Sequence, residues 1–273
     1  MGKAIYKQAE LTLSSYIGEV FELRKIYHFY DDLICNIDET PLVFNLVPNK
    51  VVSMKGEKTV IVKTMGQEKV HCTVLLGILP NGNKLPPLIV FKGNKNGKLS
   101  ASYSNDNNLK NNKVLICFNE NAWVTGDIML HWIKNIWKIY LDENSEGFPS
   151  LLFMDHASMQ VKENIIEEFE KFDTIVSFIP KSLTFCLQPL DVMINRLLKD
   201  ELRKKYVSFC TNKKNDNKVT RDMVIDWIQD IWYNSKAINK DLIYKSFRTC
   251  VLTNKLDGRR IIYSKVLIYC SKK

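Results

Sequence analysis

A mixed α/β sheet with helices on both faces is the fold that the sequence predicts, and three features predict it. LICNID (33–38) and LLFMD (151–155) are short apolar runs that end on aspartate, the form of strands covered on both sides. Two more strand-like runs, VHCTVLLGIL (70–79) and LPPLIVF (85–91), flank PNGNK, whose Asn-Gly is a strong hairpin signal. After residue 122, helical and strand-like periodicities alternate.

In chain order, residues 1–30 carry helical periodicity through Tyr16, Val20, Phe21 and Leu23, and the Asp31-Asp32 pair breaks it before the first strand. The hairpin follows. GNKNGKLSASYSNDNNLKNNK (93–113) is rich in Asn, Ser, Gly and Lys and predicts an exposed, mobile loop. WVTGDIMLHWIKNIWKIYL (123–141) predicts a helix capped by Thr125, LLFMD the next strand, VKENIIEEFEKF (161–172) a helix, and TIVSFIP (174–180) a strand closed by Pro180. From Asp191, DVMINRLLKDELRKKYVSF reads as a long amphipathic helix with Ile194, Leu197, Leu198, Leu202 and Tyr206 on its apolar side. TNKKNDNK (211–218) is a polar linker, and two further helices, at 221–234 and 240–250, predict a small helical C-terminal subdomain. The expected organisation is thus a helical lead-in (1–30), a core (31–210) and a C-terminal subdomain (211–273). Three antiparallel strands followed by strand–helix alternation is the element order of a ribonuclease-H-like fold, although pattern alone also permits an ordinary open α/β sheet.

The chain has 273 residues, 45% of them hydrophobic and 11% aromatic, enough to fill a packed interior. No apolar run approaches a membrane span and the N-terminus lacks a secretory h-region, so an intracellular protein without membrane contact is expected. The seven cysteines are odd in number, scattered and never spaced C-x-x-C, which predicts buried free thiols. The four histidines form no metal-binding pattern, so a His/Cys metal centre is not expected. Charge is uneven: residues 1–191 carry 20 Lys and Arg against 22 Asp and Glu, whereas 192–273 carry 19 against 8. A basic last third is what a polyanion partner requires, nucleic acid before membrane, though an AT-rich genome also enriches Lys and Asn.

Three aspartates carry the chemistry. Asp38 and Asp155 end strands, where ligands gather in α/β sheets, and Asp191 opens the basic helix just after Pro189. Each has a bland reading beside the functional one, since Asp155 and Asp191 would also serve as helix caps or first-turn charges. Together they would form an oxygen-only pocket for two Mg2+ or Mn2+ ions supporting in-line phosphoryl transfer. Alternation turns Glu39 to the opposite face, in a supporting role. Arg196, Lys199 and Arg203, flanked by Lys204 and Lys205, form a stripe suited to a DNA phosphate backbone.

NIDET (36–40), LLFMD (151–155) and LQPLD (187–191), with Asp155 and Asp191 36 positions apart, resemble the three acidic motifs of the DDE superfamily of transposase endonucleases. GNKLPPLIVFKG (82–93), AWVTGDIMLHWI (122–133) and the segment 227–250 are similar to its pogo and Tigger branch, whose third acid is Asp and whose relatives include jerky-like and centromere-protein-B-like host proteins. The resemblance covers about residues 15–260. It implies a ribonuclease-H-like core that cleaves and transfers DNA strands with divalent metal, Asp38, Asp155 and Asp191 being catalytic and Gln188 and His156 adjacent to them. Where the family usually has Asn after the second Asp and His a few residues on, this chain has His156 and Gln160. The stretch before residue 15 is too short for the helix-turn-helix modules with which the family reads transposon ends. A nuclear location and a homodimer are expected. A domesticated copy that binds DNA or protein without catalysis, and an RNA-processing nuclease on the same fold, are the other two readings.

Overall fold

The computed structural model describes residues 2–44, 55, 71–104, 114–155, 163–211 and 218–254. A first helix, α1 (Gly2–Tyr27), leads into strand β1 (Ile34–Val43). Strands β2 (His71–Ile78) and β3 (Leu88–Lys92), helix α2 (Lys98–Ser104) and strand β4 (Leu115–Asn119) follow. Helix α3 (126–144) precedes β5 (Ser150–Asp155), α4 (Glu163–Glu170) and β6 (Thr174–Ile179). Helices α5 (Asn195–Thr211), α6 (Arg221–Asn234) and α7 (Lys240–Thr249) complete the order.

The six strands form one sheet in the order β4-β3-β2-β1-β5-β6. β2 is antiparallel to both β1 and β3, β4 is parallel to β3, and β5 is parallel to β1 and β6. All strands except β2 therefore run the same way, and their carboxyl ends point to one edge. Residues 33–37 and 150–154 are fully buried because both faces are covered. On one face, Leu13, Tyr16, Ile17 and Val20 of α1 join Leu198 and Leu202 of α5 over Ile34, Leu151 and Phe153. On the other, α3 and α4 cover Cys35, Ile37, Leu152 and Met154.

Within α3, residues Ile133–Trp137 form a π-helical turn. The wider turn sets Trp132 and Trp137 five positions apart yet both inward, stacked with centroids 6.3 Å apart, and the Trp137 indole donates to the Thr174 hydroxyl at 2.9 Å. The hairpin turn is at Asn81-Gly82, as Asn-Gly predicts. Gly82 has φ +87°, and a Cβ there would lie 2.6 Å from the Lys240 Cβ, so glycine serves both the turn and the close approach of α7.

Two elements differ from the sequence expectation. Residues 98–104, expected as loop, form α2, because Tyr103 packs on Phe118 (5.5 Å) and its hydroxyl donates to Asp222 at 2.6 Å. Tertiary anchoring overrides the Ser-rich composition; residues 105–113 of the expected loop lie outside the described residues. β4 has no counterpart in the sequence expectation: VLICF is short, and only an edge position parallel to β3 makes it a strand. The two C-terminal helices form where predicted, each capped by its preceding side chain, Thr220 and Asn239. Their Ile228, Trp232, Ile243 and Phe247 enter the same apolar cluster as α1 and the sheet. Six cysteines are free thiols, four of them buried, while Cys270 lies outside the described residues.

Trp232 is fully buried and its indole donates to the Leu85 carbonyl at 2.9 Å. Trp232→Ala is expected to cost about 3–5 kcal/mol by guanidinium denaturation, because it opens a cavity and orphans that carbonyl. A destabilisation below about 1 kcal/mol would show that α6 contributes little to the core.

Candidate functional site

Asn36 sits two residues before Asp38 on the same side of β1 and is wholly buried among apolar side chains. Such an amide is tolerable only when its polar atoms are satisfied. Its Nδ2 donates to the Phe153 carbonyl of β5 and to the Gln188 Oε1, both at 3.1 Å, and its Oδ1 accepts from the Leu190 N–H at 3.2 Å. Gln188, also fully buried, donates from Nε2 to the Ile37 carbonyl at 2.9 Å. This pair of amides ties the LQPL turn to the middle of the sheet and so fixes where the third acid starts.

Asp191 lies in a π-helical turn, Leu190–Ile194, that runs into α5, the Asn195 N–H bonding to the Leu190 carbonyl five residues back. Asn195 projects under both acids. Its Nδ2 donates to Asp38 Oδ2 at 2.7 Å and to Asp191 Oδ1 at 3.0 Å, so one nitrogen holds two carboxyl groups. Burial, then the charge of Asp191, pushes the Asp38 carboxyl well above its usual range; hydrogen bonds from Asn195 and Gln188 oppose the shift. Asp38 is buried, whereas Asp191 is exposed, so the pair opens to solvent on the Asp191 side.

Asp155 is half-buried at the carboxyl end of β5. The β1–β5 pairing ends with Asn36 opposite Phe153, and Asp38 and Asp155 each follow two residues beyond that last pair on their neighbouring strands. The cluster is a close pair with the third acid on the neighbouring strand. Among the described residues no three His, Cys, Asp or Glu side chains stand close enough to hold one metal ion.

Glu39 turns to the α3 face, as alternation requires. The Val124 N–H donates to its carboxyl group, and burial pushes that group up to about 8. Gln188 touches Asp38 directly, while His156 and Gln160 lie outside the described residues. Of the basic stripe, Arg203 pairs with Asp200 (2.6 Å), Lys204 with Glu201 (2.6 Å) and Lys205 with Asp230 of α6 (2.7 Å). Arg196 is exposed with Asp200 at 3.9 Å, and Lys199 makes no ion pair among the described residues. Sequence reasoning misses Asn36 and Asn195. Their signals are a lone amide in a buried strand two residues from an acid, and an amide four residues after another acid.

A mixed sheet in this order, with acids on its central strands and a third in the turn that leads into α5, is a ribonuclease-H-like fold. Residues 69–247 match the family described as DDE superfamily endonuclease, and the chain belongs to that family. The match includes Asp155 and Asp191 and begins after Asp38. Among curated proteins, the chain is 28% identical over 255 residues to the human pogo transposable element with KRAB domain and 26% identical to its mouse counterpart, with 90% of this chain and 39% of each relative covered. The human pogo transposable element with ZNF domain is 25% identical over 203 residues, 73% of this chain and 13% of that protein. The chain thus spans about two-fifths of the KRAB-containing relatives. Among solved structures, the pre-cleavage Mos1 transpososome gives a TM-score of 0.62 at 11% identity, with 97% of this chain and 63% of that chain covered. The Mos1 mariner paired end complex with Mn gives 0.59 at 10% identity, covering 92% and 60%. The catalytic domain of Mos1 mariner transposase gives 0.53 at 10%, covering 98% and 95%. These likenesses establish the fold.

A buried carboxyl group with a raised folded pKa loses stability as pH climbs from its unfolded value, near 3.8, toward the folded one. Asp38→Asn removes that loss. In metal-free buffer its Tm is expected to exceed that of the wild type by a few degrees at pH 8 and by less at pH 4. Equal melting at both values would mean that burial and the Asp191 charge do not hold the Asp38 carboxyl above its usual range.

Proposed function

We propose that this chain is the catalytic core of a transposase-derived endonuclease that cuts and joins DNA strands in the nucleus, with Asp38, Asp155 and Asp191 as its catalytic residues. The observation that carries this reading is the Asp38–Asn195–Asp191 cluster, with Asp155 at the end of the strand that neighbours β1. Two facing acids, one of them buried, favour a proton or a cation between them. Among the described residues the buried Asn195 Oδ1 has no hydrogen-bond partner, which leaves that amide half satisfied beside the acids.

These residues fit a hard divalent cation, because every donor on offer is an oxygen. Asp38, Asp155 and Asp191 would divide a pair of Mg2+ or Mn2+ ions among them, no one ion taking all three. A bound pair of ions would neutralise charge on the transferring phosphoryl group and favour attack by water or a 3′ hydroxyl. The chain's own part is placement. Asn195 and Gln188 fix the Asp38 carboxyl so that it cannot turn away, and the exposed side of Asp191 leaves access for a phosphodiester. The fold likeness to a Mos1 complex with Mn and to the Mos1 transpososome supports both the metal and the DNA parts of the reading.

Mg2+ or Mn2+ is expected to support nicking of supercoiled plasmid, while Ca2+ binds without supporting it. Asp155→Asn should abolish nicking and leave the melting temperature within a few degrees; wild-type rates from that variant would remove Asp155 from the mechanism. Arg196, whose pair with Asp200 is the longest of the stripe at 3.9 Å, and Lys199, which makes no ion pair among the described residues, are its least engaged cations. Changing both to Gln should flatten the slope of log affinity against log salt by about 0.9 for each phosphate that is no longer neutralised, measured on two unrelated duplexes. An unchanged slope would show that these cations face solvent in the complex.

A further inference from the structure

The segment AWVTG, at the start of α3, contains a side chain that the acidic site does not use. Trp123 is 68% exposed, the largest fraction among the exposed large hydrophobic residues described, whereas Trp132, Trp137 and Trp232 are fully buried. Leaving an indole in water forgoes the stabilisation its burial would give. Here the backbone enforces it. Ala122, itself buried, has φ +56°, and its N–H bonds to the Asn119 carbonyl at 3.1 Å. The Asn119 amide donates to the Trp123 carbonyl at 3.0 Å and accepts from the Asn121 N–H at 3.3 Å. Gly93 N–H bonds to the Asn119 carbonyl, and the His71 ring lies 3.4 Å from the Asn121 carbonyl. The turn is thus pinned to β2, β3 and β4 at once, and it points the indole outward from a fixed base.

Its place in the fold is specific. β4 runs parallel to β1 and β5, so the turn after it lies on the edge to which those strands deliver the acids. Val124, the next residue, donates its N–H to Glu39, the neighbour of Asp38. Lys92 pairs in register with Asn119, and Lys95 and Lys98 are exposed on the adjoining stretch. The surroundings of Trp123 are polar: Glu120, Asn121, Thr125 and Asp127 are exposed or half-buried, and Asp127 lies 3.4 Å from Lys95. A protein hot spot would be ringed by apolar or occluding contacts. A flat aromatic among polar groups, with Lys92, Lys95 and Lys98 on the adjoining stretch as well as the acids Glu120 and Asp127, suits a nucleobase stacked on it whose phosphate reaches those lysines.

We propose that Trp123 is a stacking platform for an unpaired base of the DNA strand held at the acids. The inference rests on the nuclease reading above and adds to it a substrate preference: DNA with single-stranded character beside the scissile phosphate binds more tightly than a continuous duplex. Stacking is indifferent to base identity, so the preference is for structure and not for sequence.

Fluorescence anisotropy in EDTA, where no cleavage occurs, separates the two. A blunt duplex and the same duplex with a 3′ single-stranded overhang are titrated with wild type, Trp123→Ala and Trp123→Phe, each checked for fold by circular dichroism. The wild type is expected to prefer the overhang. Trp123→Ala should weaken about tenfold on the overhang and little on the blunt duplex, the size expected for one base–aromatic stack, and Trp123→Phe should retain most of the preference. Overhang binding by Trp123→Ala equal to wild type would overturn the platform and leave the nuclease reading intact. No binding of either DNA by the wild type would overturn both.

Discussion

One buried amide nitrogen shared by two carboxyl groups is the contact around which the rest of the molecule is arranged. Asn195 Nδ2 reaches Asp38 and Asp191 at once, although these acids come from a central strand and from a turn more than 150 residues later. Left alone, two such acids would repel and the turn would move away. Asn36 and Gln188 prevent that by directing their hydrogen bonds to the Phe153 and Ile37 carbonyls and to each other. A network of this kind in a dry interior is strong when complete and costly when broken, so it specifies one arrangement of β1, β5 and the LQPL turn. The Asn195 Oδ1, without a hydrogen-bond partner among the described residues, is the place where that completeness ends.

Strand direction explains why several functional candidates share an edge. Because only β2 runs against the others, the segments after β1, β3, β4, β5 and β6 all leave the sheet on the same side. The acids use the α5 face of that edge, while Glu39 and the Val124 N–H join the α3 face to it. Helices α6 and α7 complete the α5 face from behind, and the ion pair between Lys205 and Asp230 belongs to that docking. The positive charge of the last third is therefore divided. Part of it pairs with acids within the fold, Asp200 taking Arg203 closely and Arg196 at 3.9 Å, while Lys199 makes no ion pair among the described residues.

Buried strands and the hairpin are legible in the sequence because their signals are local: apolar runs, an Asn-Gly turn, and aspartates at strand ends. The acids of β1 and α5 are legible as candidates for the same reason. What sequence periodicity does not contain is pairing. β4 is a strand only through β3, and α2 a helix only through Phe118 and Asp222, so a segment of either composition read alone stays a loop. The basic stripe, taken from charge spacing, leaves out the acids on the neighbouring turn and helix: Asp200, Glu201 and Asp230 are all in the sequence, but which lysine or arginine each engages depends on packing. Asn36 is legible in principle, since an amide in an otherwise apolar buried strand has few reasons to be there except a network.

The three acids differ in what holds them, and that difference has a physical use. Asp38 is dry, fixed by two amides and unable to relax, so its charge is costly and its position is reliable. Asp191 has the opposite character: it is exposed at a widened helical turn, with the Asn195 amide as its hydrogen-bond donor. Asp155 is intermediate, at a strand end with part of its surface covered. A site of three rigid, buried carboxylates would have to be offset by packing elsewhere, while a site of three mobile ones would lose its geometry. One rigid anchor, one partly covered acid and one solvent-facing acid give definition at the centre and entry at the side. The two apolar clusters on either face of the sheet supply the stability that allows even the anchor to persist.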